Sequence, residues 1–460
     1  MPSGARDVDS YRRILAVGVP LIFSYTGLMI MYFVDGLFLA WYSEEAIAAV
    51  VPASMVSHLL KSVFLGIAGY TSIFVAQYVG ADRPGRVGAV VWQGIWFSVL
   101  AGGAIVLVSF AARPIFDWMG HEPSIRDLEI RYFQIMCWGA PVIILGGVLP
   151  GFFSGRGTTR TLMAVQLAGF VFNGFLDYGL IFGRFGLPEW GTAGAAVATV
   201  VSQSIVAAVL IMLYLQRRHR QVYATWTGRR FEPMLFWQLL RYGAPNGFRF
   251  AMEMAAWTMF IVYVGRIGVS EQTASNIAWR INGLAFFPMM GLSQAVGILV
   301  GQGQGRLCPD LSVRCTYRGL LICEIWMLGS AVLFLLIPRQ LLGFFHNPDT
   351  MTPERFNELA ALGVILLRFV ALYCVLDSLS MIFLHALSGA GDTRWTFVVS
   401  ALLNAVFIFV IAVIDRFHRD IYLIWGAATV FLMLQAFVWL ARFRGGRWRT
   451  MRVIDPELGR

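Results

Sequence analysis

The sequence predicts an all-α polytopic membrane protein of about 12 transmembrane helices, built as two parallel six-helix pseudo-symmetric lobes. Three observations lead there: a composition too apolar for water, a dozen stretches each long enough to cross a bilayer, and an internal repeat that copies the first half of the chain onto the second.

Composition comes first. Of 460 residues, 58% are hydrophobic and 13% charged, with a mean hydropathy of +0.68. Soluble domains carry about twice that charge, so a water-soluble enzyme is excluded. At roughly 20 residues per crossing, the length is used up by the spans and leaves no room for a large aqueous domain. The net charge of +10 does not point to nucleic acid, because Lys61 is the only lysine and most arginines fall in alternate loops. The five cysteines show no C-x-x-C and read as packing residues. The first apolar run, Ile14 to about Tyr42, is too long for a secretory h-region and should remain as the first span.

The spans follow in order at approximately 14–41, 47–79, 87–112, 127–150, 160–183, 192–215, 236–264, 272–302, 312–337, 357–387, 395–414 and 421–441. Pro20, Pro141, Pro245 and Pro288 lie inside spans and predict kinks, not breaks, since packed neighbours can satisfy the freed carbonyls. Arginines crowd the connections after the second, fourth and sixth spans (Arg83 and Arg86; Arg156 and Arg160; Arg217, Arg218, Arg220, Arg229 and Arg230) and the tail. By the positive-inside rule both termini are cytoplasmic, in a multi-pass protein of the inner (plasma) membrane.

The repeat is the most informative feature. Gly18-Val19-Pro20 recurs as Gly243-Ala244-Pro245, Gly66 as Gly291 and Gln77 as Gln302, each 225 residues on. Later, Ser154-Gly155-Arg156-Gly157-Thr158-Thr159-Arg160 recurs as Ser388-Gly389-Ala390-Gly391-Asp392-Thr393-Arg394. Six spans per half is an even number, so both halves enter from one side and the repeats are parallel. The expected organisation is an N-lobe over 1–215, a basic cytoplasmic connecting loop over 216–235, and a C-lobe over 236–460 with a basic tail.

An ionisable residue deep in a span costs at least about 2.5 kcal/mol, so each is a candidate for function. The candidates are Asp35, His58, Lys61, Arg131, Asp177, Arg249, Glu253, Arg280, Glu324, Arg368, Asp377 and His385. Asn173 and Asp177, four residues apart, share a helix face and can offer an amide oxygen and a carboxylate to one ligand. Asp35 is the expected partner opposite them. Two carboxylates and an amide in low dielectric either share a proton or bind a hard cation such as Na⁺ through oxygen. In the second half Glu253 and Asp377 are the acids, at positions that are not repeat equivalents, so the halves carry different chemistry. Arg249, one turn before Glu253, is placed to pair with it or with Asp377 and to modulate that site. No Walker A, H-E-x-x-H or G-x-S-x-G motif occurs, which argues against ATP hydrolysis and against an enzyme.

Taken together, Pro20 and Asp35, the helix ends Val79-Gly80-Ala81 and Gln302-Gly303, the twin Gly-rich Thr-Arg turns, Asn173 to Asp177 leading to Gly183, Gly191-Thr192-Ala193-Gly194-Ala195-Ala196, and Glu253 with Asp377 resemble the multidrug and toxic compound extrusion (MATE) family, in its NorM-like branch. The resemblance covers nearly the whole chain. It implies a secondary antiporter that exports organic cations and amphipathic drugs in exchange for Na⁺ or H⁺ by alternating access. Asp35, Asn173 and Asp177 would form an N-lobe cation or proton site, Glu253 and Asp377 a C-lobe site, and Pro20 the bend of the first span. No cofactor beyond the coupling ion, no nucleic acid and a monomer among membrane lipids are implied. The rival within transport is a lipid-linked oligosaccharide flippase, which would use arginines for phosphates.

Overall fold

The computed structural model describes residues 10–345 and 352–454, so the chain ends expected on the cytoplasmic side lie outside the described residues. Every regular element among these residues is helical. The first half holds α1 (Tyr11–Tyr42), α2 (Glu44–Gly69), α3 (Thr71–Gly80), α4 (Gly85–Val108), α5 (Ala112–Met119), α6 (Pro123–Trp138), α7 (Ala140–Gly155), α8 (Thr159–Phe182) and α9 (Gly191–Tyr214). A short α10 (Arg217–Tyr223) leads to the second half: α11 (Pro233–Ile267), α12 (Val269–Gly305), α13 (Pro309–Leu336), α14 (Pro338–Gly343), α15 (Pro353–Ala390), α16 (Thr393–Phe417) and α17 (Ile421–Arg444). Among the described residues, eleven segments are long and apolar enough to cross a membrane, and the bent pair α6–α7, taken as one span, makes a twelfth. The chain is an all-α polytopic membrane protein.

Helix ends follow local chemistry. Ser43 Oγ accepts the Ala46 amide at 3.0 Å to start α2, with Glu44 and Glu45 favourably placed in its first turn. Asp420 accepts the amides of Tyr422 and Leu423 at the head of α17. At the other end, α8 stops where Gly183 turns left-handed at φ +66°, a conformation glycine adopts without a Cβ penalty.

Three prolines sit inside uninterrupted helices as expected: Pro20 in α1, Pro245 in α11 and Pro288 in α12. Pro141 does not. There the span divides at Gly139 into α6 and α7, bent by 47°. Pro141 has no N–H for the Cys137 carbonyl, and its ring crowds the preceding turn. The bend is keyed into α4 at Gly102, where any Cβ would strike Pro141. A second, unforeseen division falls at Tyr70, between α2 and α3. Of the five cysteines, four are buried as packing residues and Cys308 is exposed.

The described residues form two compact units. One takes those up to Ile22, Met252–Val300 and Cys308–Met451; the other takes Phe23–Ala251, Gly301–Leu307 and the residues from Arg452 on. In the first, α15 packs between α13 and α17 over a core that includes Met289, Met327, Phe383, Trp425 and Trp439. In the second, α7 packs against α3, α4 and α9, and α8 lies along α9. The second unit also holds a paired contact between repeat equivalents. A Cβ on Gly80 would strike the Gln302 carbonyl, and a Cβ on Gly305 would strike the Gln77 carbonyl. Gly305 and Gln302 each stand 225 residues after Gly80 and Gln77. Gln302 Nε2 also donates to the Gly155 carbonyl at 2.8 Å, and Gln77 Oε1 accepts the Val453 amide at 2.9 Å.

Candidate functional site

Asn173 and Asp177 lie on one face of α8, and neither side chain is accessible to solvent. Asp35, from the part of α1 in the same unit, meets Asp177 carboxyl to carboxyl. These three residues hold five buried polar atoms with no hydrogen-bond partner: Asp35 Oδ1, both Asp177 oxygens, and the oxygen and nitrogen of Asn173. Buried polar atoms are almost always paired, because each one left unmatched costs about 1–3 kcal/mol. Two acidic groups that meet, with an amide on the same helix face as one of them, offer a set of oxygens able to take up a small positive species, a proton or a hard cation.

Other groups surround these residues. Tyr132 on α6 is buried within the field of Asp35, Asp177 and Tyr32. Sequence reasoning singled out its neighbour Arg131, but Arg131 faces outward and Tyr132 faces the acids. A lone tyrosine in an apolar span looks like packing, so only the helix phase of α6 could have found it. On the Gly183 side of the acids, α1 and α8 are joined by aromatic rings: Phe38 lies 5.7 Å from Tyr178 and 6.1 Å from Phe182, and Tyr42 lies 6.1 Å from Phe182. Beyond them Tyr42 donates to Glu189 Oε1 at 3.0 Å.

In the other unit, Glu253 on α11 acts electrostatically on Asp377 of α15, so the structure brings these two acids near one another. Asp377 is buried, and its neighbour Ser378 donates to Glu324 Oε1 at 2.6 Å, placing a third carboxyl on the same stretch of α13 and α15. One turn beyond Glu253, Trp257 enters an aromatic cluster with Trp279 at 4.7 Å and Phe260 at 5.6 Å. Arg249, which belongs to the unit of Asp35 and Asp177, is buried and donates to Asn246 Oδ1, on its own turn of α11, at 3.4 Å. Arg131, Arg280 and Arg368 lie on exposed helix faces. His385 bonds to the Met381 carbonyl one turn back.

The MatE family matches the chain twice, over residues 20–179 and 245–414. Among its relatives is the probable multidrug resistance protein NorM of Pseudomonas aeruginosa, 29% identical over 397 residues, which cover 84% of this chain and 79% of that one. The protein of the same name from Burkholderia pseudomallei is 27% identical over 380 residues, 82% and 80% of the two chains. In fold, the chain is similar to a multidrug resistance MATE family transporter of the MOP superfamily in its outward-facing conformation. The TM-score is 0.86 at 19% identity, over 97% of this chain and 99% of that one. It is also similar to a MOP superfamily transporter of Pyrococcus furiosus, described as having a binding pocket of reverse polarity that suggests a different function. There the TM-score is 0.84 at 19% identity, over 98% and 99%. Matched in both of its halves, the chain belongs to the MatE family of membrane transporters and is not an enzyme.

Proposed function

We propose that this protein is a NorM-like secondary antiporter. It exports organic cations and amphipathic drugs in exchange for Na⁺ or H⁺, by alternating access of an N-lobe (1–215) and a C-lobe (236–460) joined by the loop 216–235. It works as a monomer in the plasma membrane with both termini in the cytoplasm. The observation that carries this reading is the set of unpartnered buried atoms on Asp35, Asn173 and Asp177.

The coupling ion enters that set, exchanges its hydration for the Asp and Asn oxygens, and draws α1 and α8 together. Drug release follows from the repacking of α1 around Pro20. Glu253 and Asp377 attract the cationic group of the substrate, while neighbouring aromatic rings such as Trp257 accept its apolar body. Arg249 sets how much negative charge the Glu253 and Asp377 pair presents. One charge moving inward down about 100 mV supplies roughly 2.3 kcal/mol, enough for more than a tenfold gradient of substrate.

The test is uptake of a fluorescent organic cation into everted vesicles under a Na⁺ gradient alone and a proton gradient alone, with Asp177→Asn alongside. One gradient drives uptake in the parent and fails in the variant. Uptake under neither gradient overturns the antiport reading and favours a flippase for a phosphate-bearing lipid.

A further inference from the structure

The two Gly-rich turns of the repeat have diverged in charge. In the second half, Ala390 stands where the first half has Arg156, and Asp392 closes an ion pair with Arg442 Nε at 2.7 Å; both side chains are largely buried. That turn is electrically complete. The first-half turn is not. Arg156, between α7 and α8, lies over the rings of Phe152 at 4.0 Å and Tyr223 at 4.7 Å. Its terminal nitrogen donates to Thr158 Oγ1 at 3.0 Å, but its Nε is buried without a partner.

Two further basic groups converge on it from α10. Arg218 and His219 act on each other, and both act on Arg156 or feel its charge. The His219 ring stands 5.2 Å from Phe152 and 6.0 Å from Tyr223, with Nδ1 donating to the Leu213 carbonyl at 2.8 Å. Burial first, and the neighbouring arginines second, hold the His219 ring below its ordinary pKa. Arg156 is likewise depressed, by burial and then by Arg218 against the opposing pull of Tyr223. The two arginine charges, gathered against aromatic walls, want an anion between them, and an anion there favours the protonated His219 ring, whose Nε2 then donates.

The location says which anion. The Arg156 turn caps two spans, and α10 begins directly after a third, α9, so the cluster stands at the membrane boundary. Val222, four residues after Arg218 on the same face of α10, is 46% exposed. Trp226 follows, 44% exposed and flanked by the guanidinium groups of Arg220 at 5.1 Å and Arg229 at 4.6 Å. Bonds from α4 fix this segment in place: Trp92 Nε1 to the Thr225 carbonyl at 2.6 Å and Gln93 Nε2 to the Arg230 carbonyl at 3.1 Å. Exposed apolar groups beside fixed cations at a bilayer boundary match a charged lipid better than a soluble anion.

We propose that Arg156 and Arg218, joined by His219 in its protonated form, bind the phosphodiester headgroup of an anionic phospholipid, with Val222 and Trp226 meeting its acyl region. The site is independent of the transport reading. To test it, the full-length protein in neutral detergent is titrated with phosphatidylglycerol and with phosphatidylcholine, and bound lipid is counted by native mass spectrometry. The parent protein prefers phosphatidylglycerol by roughly tenfold. Arg218→Gln, on an exposed helix where folding is not at risk, removes most of that preference, as does Arg156→Ala, which copies the second-half turn. Arg416→Gln, an exposed arginine elsewhere, leaves it unchanged. Equal affinity for the two lipids, an unaltered preference in Arg218→Gln, or displacement of the lipid by millimolar inorganic phosphate overturns the assignment.

Discussion

Replacing Asp177 by asparagine should make the protein more stable and at the same time deaf to its coupling ion. Asp35 and Asp177 meet carboxyl to carboxyl, and no other group donates to Asp35 Oδ1 or to either Asp177 oxygen. Were both ionised, two full charges about 4 Å apart would repel by roughly 4 kcal/mol at an effective dielectric of about 20, so without a cation the pair keeps a proton between its carboxyls. Each donorless buried oxygen adds about 1–3 kcal/mol. Asp177→Asn keeps the shape, needs no shared proton, and supplies an N–H₂ that can donate to Asp35. With no Na⁺ and at mildly alkaline pH, the variant should melt a few degrees above the parent when unfolding is followed by tryptophan fluorescence. Adding the coupling ion should raise the parent alone; at about 100 times its dissociation constant, a ligand adds roughly 2.7 kcal/mol. Na⁺ and acid are tried separately, and the one that works names the ion. If Asp177→Asn melts below the parent, and the parent responds to neither Na⁺ nor acid, the atoms of this site are not a cation receptor and the reasoning fails.

Three other outcomes are expected. Asp392→Ala or Arg442→Ala leaves one charge of a buried pair alone and should cost about 3–5 kcal/mol, whereas replacing both by apolar residues should cost far less; melting of the single and double variants measures the coupling. Gly80→Val should abolish transport and lower the folded yield, because the side chain has no room beside the Gln302 carbonyl, while the same change at Gly85, where a Cβ meets nothing, should be tolerated. His219, held below its ordinary pKa of 6.5, takes up a proton more readily when unfolded, so its contribution is fully present above about pH 6.5 and is lost as the medium becomes more acidic. Amide exchange in α10 should accordingly quicken between pH 7 and pH 5.5, and His219→Phe should blunt that dependence.

The fold was legible because hydrocarbon imposes one solution on the backbone: spans had to be helices, and twenty apolar residues had to be a span. The repeat, read from Gly-Pro and Gly-Thr-Arg echoes, paired Gln77 with Gln302 before any contact was visible, and Gly80 and Gly305 follow at the same shift of 225 residues. What could not be read was the local balance at one proline. Pro20, Pro245 and Pro288 are carried through their helices, while Pro141 divides its span; the glycine two residues before it is no signal, since Gly18 and Gly243 precede Pro20 and Pro245 in the same way, and what the structure adds at Pro141 is the close approach of Gly102 on another helix. The acids were conspicuous as charges in apolar runs, and the spacing of Asn173 and Asp177 put them on one face. Tyr132 carried no such signal, since its role comes from which way α6 is turned, and Arg131 drew the eye to the wrong side of that helix.

The paired contact of Gly80 with Gln302 and Gly305 with Gln77 has the form of an isologous interface, in which a surface meets its own copy and each residue contacts its partner's counterpart. Here the two copies are on one chain. A contact of that form does not require the chain to be continuous: a single half-length polypeptide paired with a second molecule of itself could make the same two glycine-to-carbonyl approaches about a two-fold axis. Joining the copies frees each glycine and each glutamine to change independently, and Gln77, holding the Val453 amide, and Gln302, holding the Gly155 carbonyl, have already taken different partners.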